Sequence, residues 1–263
     1  MSEKTVVLVR DGGVATVRIN RPDEMCALDI PTKEALLAAL RDVADDADVR
    51  VVVLTGTGRA FCVGQDLNEH LGLLESGADA LTTTVSQHYN PIVELISTMN
   101  KPVIAAVNGV AAGAGASFAF AADLRIVHEN AGFNLAFTGI ALSCDSGASW
   151  TLQRLVGTAK AKELLYFPRT VKADEALALG LATQVVPAAE FDSAVAELAQ
   201  RLANGPTLAY GSVRRAVAYS ATHDLAESLA HEGELMTLTG FSADHRAAVD
   251  AFVAKRPAVF EGR

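Results

Sequence analysis

The sequence predicts an α/β fold with a C-terminal helical region. Two observations carry the α/β part. Val51–Leu54 and Pro102–Val107 are continuous, largely β-branched or small apolar runs, the mark of strands buried on both faces. Strands of this kind alternate with residues at helical spacing through the first half of the chain. A third observation sets the tail apart: beyond Phe191 the pattern is helical only.

In chain order, Val6–Arg10 and Ala15–Asn20 alternate around Asp11-Gly12-Gly13, a hairpin signal, and Arg21-Pro22-Asp23 breaks the second strand. Ile30–Val43 has helical spacing, with Pro31 at a tolerated early position. The strand Val51–Leu54 leads into a loop, Thr55–Asp66. Val85–Met99 predicts a helix; Pro102–Val107 then predicts a strand and Gly109–Ala122 a small-residue turn and helix. Leu124–His128 is a further strand. From Trp150 the pattern is mostly helical, broken by a brief strand at Thr183–Val186 between Gly180 and Pro187. Phe191–Leu202, Thr207–Ser220, Leu225–Leu238 and Ala243–Ala254 are expected helices. They are amphipathic and have no separate core, so the tail should pack on the α/β body or on a neighbouring subunit. The expected division is 1–195 for the core and 196–263 for the helical region.

Half of the 263 residues are apolar, enough for one large core. The formal net charge of −9 argues against a nucleic acid or an anionic membrane as main partner. No eighteen-residue apolar stretch suggests a membrane span. Met1–Arg10 lacks the apolar core and cleavage site of a signal peptide. Cys26, Cys62 and Cys144 are scattered and lack CxxC spacing, which argues against disulfides and zinc. A reducing cytoplasm is the expected location. The six histidines show no metal-ligand spacing, so no metal is expected.

Three segments could carry chemistry. Gly58–Leu67 follows a buried strand, where Gly64 would let the backbone turn sharply against a ligand; a plain surface loop explains it equally. Asn108–Ser117 follows the next buried strand and opens a helix, whose free N–H groups suit an oxyanion or phosphate. Small residues for close helix packing explain much of this segment too. A dinucleotide fingerprint fails, because Phe118 holds the third glycine position and Asp123 comes too early. In Leu142–Trp150, Asp145 is either a helix N-cap or an acid/base group. Cys144 has no nearby histidine to activate it and reads as a packing residue. No GxSxG elbow is present.

Taken together, these segments resemble the enoyl-coenzyme A hydratase/isomerase superfamily, from Asn20-Arg21-Pro22 to Ala251–Pro257. The resemblance implies the crotonase fold of stacked ββα units and a CoA thioester as substrate. It implies that Val63 and Ala114 give backbone N–H groups to the thioester oxygen. Ser117 and Phe137 stand where the family's hydratases have two glutamates, which puts simple hydration in doubt. Phe61–Leu67, Gly113-Ala114-Gly115-Ala116, Ala136-Phe137 and Asp145-Ser146-Gly147 with Trp150 look like the phenylacetate-pathway isomerases that convert an epoxide to an oxepin. Cys144 and Ala148 depart from the Pro and Gly usual there. Asp145 then becomes the implied acid/base of an isomerase. The alternatives are a hydratase working through Asp145 and Ser117, or a non-catalytic acyl-CoA binding subunit. The implied substrate contacts are Met25, Ala27, Val63, Gly64, Gln65, Asp66, Ala114 and Phe137, with Phe252 and Lys255 reaching the nucleotide end from a neighbouring subunit. Coenzyme A enters as part of the substrate, no separate cofactor is implied, and a homotrimer or hexamer is expected. Asn68–His88 is expected to shape the acyl pocket.

Overall fold

The computed structural model describes residues 4–75 and 83–263. Residues 76–82 of the expected pocket-shaping segment lie outside the described residues.

The larger sheet takes its strands from across the α/β part: β1 (Val6–Asp11), β2 (Val14–Ile19), β3 (Val51–Gly56), β5 (Val103–Val107), β7 (Leu124–His128) and β10 (Gln184–Val186), hydrogen-bonded in the order β1-β2-β3-β5-β7-β10. Only the β1–β2 hairpin is antiparallel; the other pairs run parallel. The strand sequences explain why. All six residues of β3 and all five of β5 are buried, so both faces are covered. The period of two divides their side chains. Val52, Leu54, Val103, Ala105 and Val107 join one core, with α1 (Ile30–Asp45) contributing Leu36, Leu37 and Leu40. Val51, Val53, Ile104 and Ala106 join a second core under the helix Phe191–Ala203. That helix crosses position 195 and packs on the sheet.

A second sheet joins β4 (Ala60–Cys62), β6 (Val110–Ala112), β8 (Gly132–Asn134) and β9 (Thr170–Lys172) in the order β4-β6-β8-β9. Each of its strands is three residues long. The expected loop Thr55–Asp66 therefore contains the end of β3 and all of β4. The expected helix Val85–Met99 opens with a π-helical turn, Val85–Tyr89, in which the Asn90 N–H reaches Val85 O. Pro91 follows, with no N–H of its own to donate, and the α-helix Asn90–Thr98 continues from there. Around the site stand α2 (Leu67–Glu75), Asn90–Thr98 as α3, α4 (Ala114–Ala121) and α5 (Ala148–Val156); Thr158–Tyr166 and Ala173–Ala178 are further helices before the tail.

In the tail, Thr207–Ser220, Leu225–Gly240 and Ala243–Val253 are helical as expected. Arg214 docks the first of them: its guanidinium pairs with Asp123 at 2.8 Å and donates to the Met99, Lys101 and Ile96 carbonyls. Val213, Val217, Met236, Phe252 and Val253 are left exposed on these helices.

Candidate active site

Two strand exits meet to form the site. β3 leads through β4 to Val63–Asp66, and β5 leads through β6 to Gly113 and α4. Asn108 ties the two together: its Oδ1 accepts from Gly56 N–H at 3.1 Å, and its Nδ2 donates to the Gly58 and Ala60 carbonyls, both at 3.0 Å. Gly115 lets α4 lie against β4, since a Cβ there would stand 2.1 Å from Cys62 O. Gly64, at φ +84°, makes the sharp turn expected of it. Gly113, at φ 51° and ψ −123°, sets the peptide plane that carries the Ala114 N–H in a conformation closed to other residues. Among the described residues, neither the Val63 nor the Ala114 N–H has an acceptor. Two unpaired donors at adjoining strand exits are what an oxyanion needs.

Both donors border a cavity of about 540 Å³ with mostly apolar walls. Met25, Ala27, Gln65 and Asp66 line it, as do Phe137 and Asp145 on the opposite side of the sequence. Eight of the residues expected from sequence are thus gathered around one space. Gly64 borders it through its neighbours only. Phe252, 84% exposed at the end of the last helix, and Lys255 beyond it are not on this cavity in the single chain.

Asp145 is not an N-cap. The cap position of α5 is Gly147, and Asp145 contributes only its main-chain oxygen, to Ala148 N–H at 2.9 Å. Its carboxylate is largely withdrawn from water, and that burial pushes its pKa above the ordinary aspartate value, while a 2.8 Å hydrogen bond from Ser146 Oγ works against the rise. Asp66 differs in kind. Burial pushes its pKa up, but Arg21 at 3.0 Å and the Asn68 and Glu69 N–H groups together hold it below the usual range. Its charge is committed to capping α2.

Ser117 is fully buried, donates to Gly113 O at 3.1 Å and does not reach the cavity. Cys144 packs against the main core, as expected for a structural cysteine. Burial pushes the Cys62 thiol up to about 12.

Sequence reasoning missed a polar cluster behind the wall. Lys33 is fully buried, with Nζ 3.1 Å from Gln65 Oε1, 3.2 Å from Glu69 Oε1 and 3.3 Å from Thr84 Oγ1. Tyr89 Oη donates to the same Gln65 Oε1 at 2.6 Å, and Tyr89 lines the cavity. The signal for Lys33 is present in the sequence: Ile30, Lys33, Leu37 and Leu40 share one stripe of α1, so a lysine sits on the apolar face. Met25 and Cys26 both adopt φ 56°, a strained backbone at the cavity edge, and the Cys26 thiol anchors that turn to the Ile19 and Thr57 carbonyls.

Known proteins resemble the chain over nearly its whole length. A family model described as enoyl-CoA hydratase/isomerase matches residues 10–263. The chain is 41% identical to a Rhodobacter capsulatus protein named "Probable enoyl-CoA hydratase", over 100% of both chains. It is 38% identical to the 1,2-epoxyphenylacetyl-CoA isomerase of Escherichia coli K12, over 95% of this chain and 96% of that one. An enoyl-CoA hydratase structure from Bacillus anthracis superposes with TM-score 0.93 at 31% identity, covering 98% of this chain and 100% of that one. The chain has the crotonase fold and belongs to the enoyl-CoA hydratase/isomerase family.

Proposed function

We propose that the protein is an acyl-CoA thioester isomerase that moves a double bond, or rearranges an epoxide to an oxepin, with one carboxylate. The observation that carries this reading is Asp145: a half-buried carboxylate on the cavity wall, with Phe137, not a glutamate, beside it on that wall and Ser117 bonded away from the space. Adding water requires one group to activate the water and one to protonate the carbon. Moving a double bond requires only a base that gives its proton back elsewhere. Asp145 takes a proton from one carbon of the acyl chain and returns it two carbons away. The negative charge rests meanwhile on the thioester oxygen, between the Val63 and Ala114 N–H groups. Each such donor lowers the barrier by about 3 kcal/mol. The apolar walls strengthen these interactions by excluding water.

The substrate's nucleotide end needs positive charge. None of the described residues lining the cavity is basic, and Asp23 and Glu24 add acidic groups to its wall. This favours a cation from another copy of the chain, and Lys255, beside exposed Phe252, is our candidate. The exposed apolar residues of the tail helices support assembly into a homotrimer or hexamer. Assaying purified protein on a panel of 2-enoyl- and 3-enoyl-CoAs, for double-bond migration and for hydration, tests the reading. Migration should dominate. A protein that hydrates 2-enoyl-CoAs and does not move the bond would overturn it, and CoA binding with no turnover would favour a non-catalytic subunit.

A further inference from the structure

We propose that Lys33 is a positioning residue, which through the Gln65 carboxamide keeps the Tyr89 hydroxyl proton turned away from Asp145. The proposal rests on the acyl-thioester reading of the cavity for its catalytic meaning, but its geometry stands apart from it.

Lys33 Nζ has three protons and three partners, Gln65, Glu69 and Thr84. An ammonium has nothing to accept with. The Gln65 amide must therefore turn its oxygen, not its NH₂, toward Lys33. The amide's Nε2 then faces Glu69 Oε1, at 3.3 Å. Tyr89 Oη lies 2.6 Å from the same Gln65 oxygen, so its single proton is spent there. Both lone pairs of the carboxamide oxygen are used, one by Lys33 and one by Tyr89. The Tyr89 oxygen is left as an acceptor only.

The consequence lies at the cavity. Gln65, Tyr89 and Asp145 all line the main cavity, and all three also line a smaller chamber of about 50 Å³. Burial first, then nearby negative groups with Asp145 among them, raise the Tyr89 pKa, so phenol and carboxylate lie within electrostatic reach of each other. With the phenol proton fixed on Gln65, Asp145 receives no hydrogen bond from Tyr89 while charged. Once it has taken a proton from substrate, it can give one to Tyr89 Oη. Were the Gln65 amide reversed, its NH₂ would meet Tyr89 Oη and free the phenol proton to bind the Asp145 carboxylate. That hydrogen bond would favour the charged form and make it a poorer base. The other groups around Asp145 do not substitute for this control. Ser146 Oγ is already bonded to it at 2.8 Å; Asp23, Glu24 and Asp66 line only the larger cavity, with Asp66 tied to Arg21; His70 of α2 lines only the smaller one.

The test is Lys33→Met combined with Glu69→Gln in the full-length protein. The pair of changes strands neither charge, and a glutamine at 69 can still accept from Ile30 N–H as Glu69 does at 2.7 Å. The 13Cγ resonance of Asp145, assigned with Asp145→Asn, is followed against pH, together with the acid limb of kcat on a 3-enoyl-CoA. Both should move down by about one pH unit in the variant, with kcat lower by about tenfold. Adding Tyr89→Phe should return both to their wild-type positions. If the doubly changed protein does not fold, Gln65→Met supplies the same release of Tyr89 and should lower the Asp145 titration equally. An unmoved Asp145 titration, or a downward shift that Tyr89→Phe fails to reverse, overturns the proposal. If wild-type protein turns over no enoyl-CoA, the isomerase reading fails while the carboxyl titration still decides this one.

Discussion

Replacing Gly115 by alanine puts a methyl group where β4 and α4 touch. The new Cβ would lie 2.1 Å from Cys62 O, 2.7 Å from Cys62 C and 2.8 Å from Cys62 Cβ. Contacts below 3.0 Å essentially never occur, and the atoms met first are backbone, not the end of a flexible side chain. Helix and strand must therefore separate by about 1 Å, a displacement large enough to cost ~10²-fold in rate when it misplaces reacting groups. The displaced carbonyl belongs to the peptide unit that ends in the Val63 N–H, so the push falls directly on one of the two proposed donors. Losing that donor costs about 3 kcal/mol, or ~10²–10³ in kcat. The overpacking itself costs about 1–3 kcal/mol of stability. The assay is kcat for double-bond migration, with thermal melting to show that the variant is folded. Gly233→Ala is the control, because a Cβ there meets nothing within 4 Å. A folded Gly115→Ala protein with wild-type kcat would refute the role given to this contact.

Other outcomes follow from the same geometry. Arg214→Ala removes an ion pair and several carbonyl contacts that hold the tail to the core; it should lower stability by about 2–4 kcal/mol in chemical denaturation. In native protein, thiol-reactive reagents should modify Cys144 and spare Cys26 and Cys62, which are buried; all three should react after unfolding. The raised pKa of Asp145 should place the acid limb of kcat/KM above the ~3.9 of a free aspartate, since the deprotonated form is the base. The same shift has a stability sign: the folded state holds this proton more tightly than the unfolded one. The contribution of Asp145 to stability therefore falls as pH rises from the unfolded to the folded pKa. Asp145→Asn should melt higher than wild type at neutral pH, by about 2–4 °C for each kcal/mol relieved.

The parts of the fold legible in the sequence were those with long periodic signals. β3 and β5 announced themselves through continuous apolar runs, and the four last helices through their spacing. The second sheet was not legible. Three residues such as Ala60-Phe61-Cys62 are too few to show a period of two, and their pairing with β6 is fixed by Asn108 and close glycine contacts instead. The two candidate donors are main-chain groups and leave no side-chain trace; resemblance over the whole chain located them, and the pairing of strand exits explains their position. Asp145 could be read locally as a helix cap, and only the position of Gly147 separates the two readings. Lys33 was overlooked because a lysine is ordinarily taken as a solvated charge; its place on the apolar stripe of α1 was the available clue.

The most direct test of the account is Asp145→Asn. The change keeps shape and removes the base. Turnover of a 3-enoyl-CoA to its 2-enoyl isomer and the calorimetric affinity for the same acyl-CoA should be measured on one preparation. The account predicts a loss of migration of ~10²–10⁴-fold with binding retained. Near-wild-type turnover in the asparagine variant would contradict it.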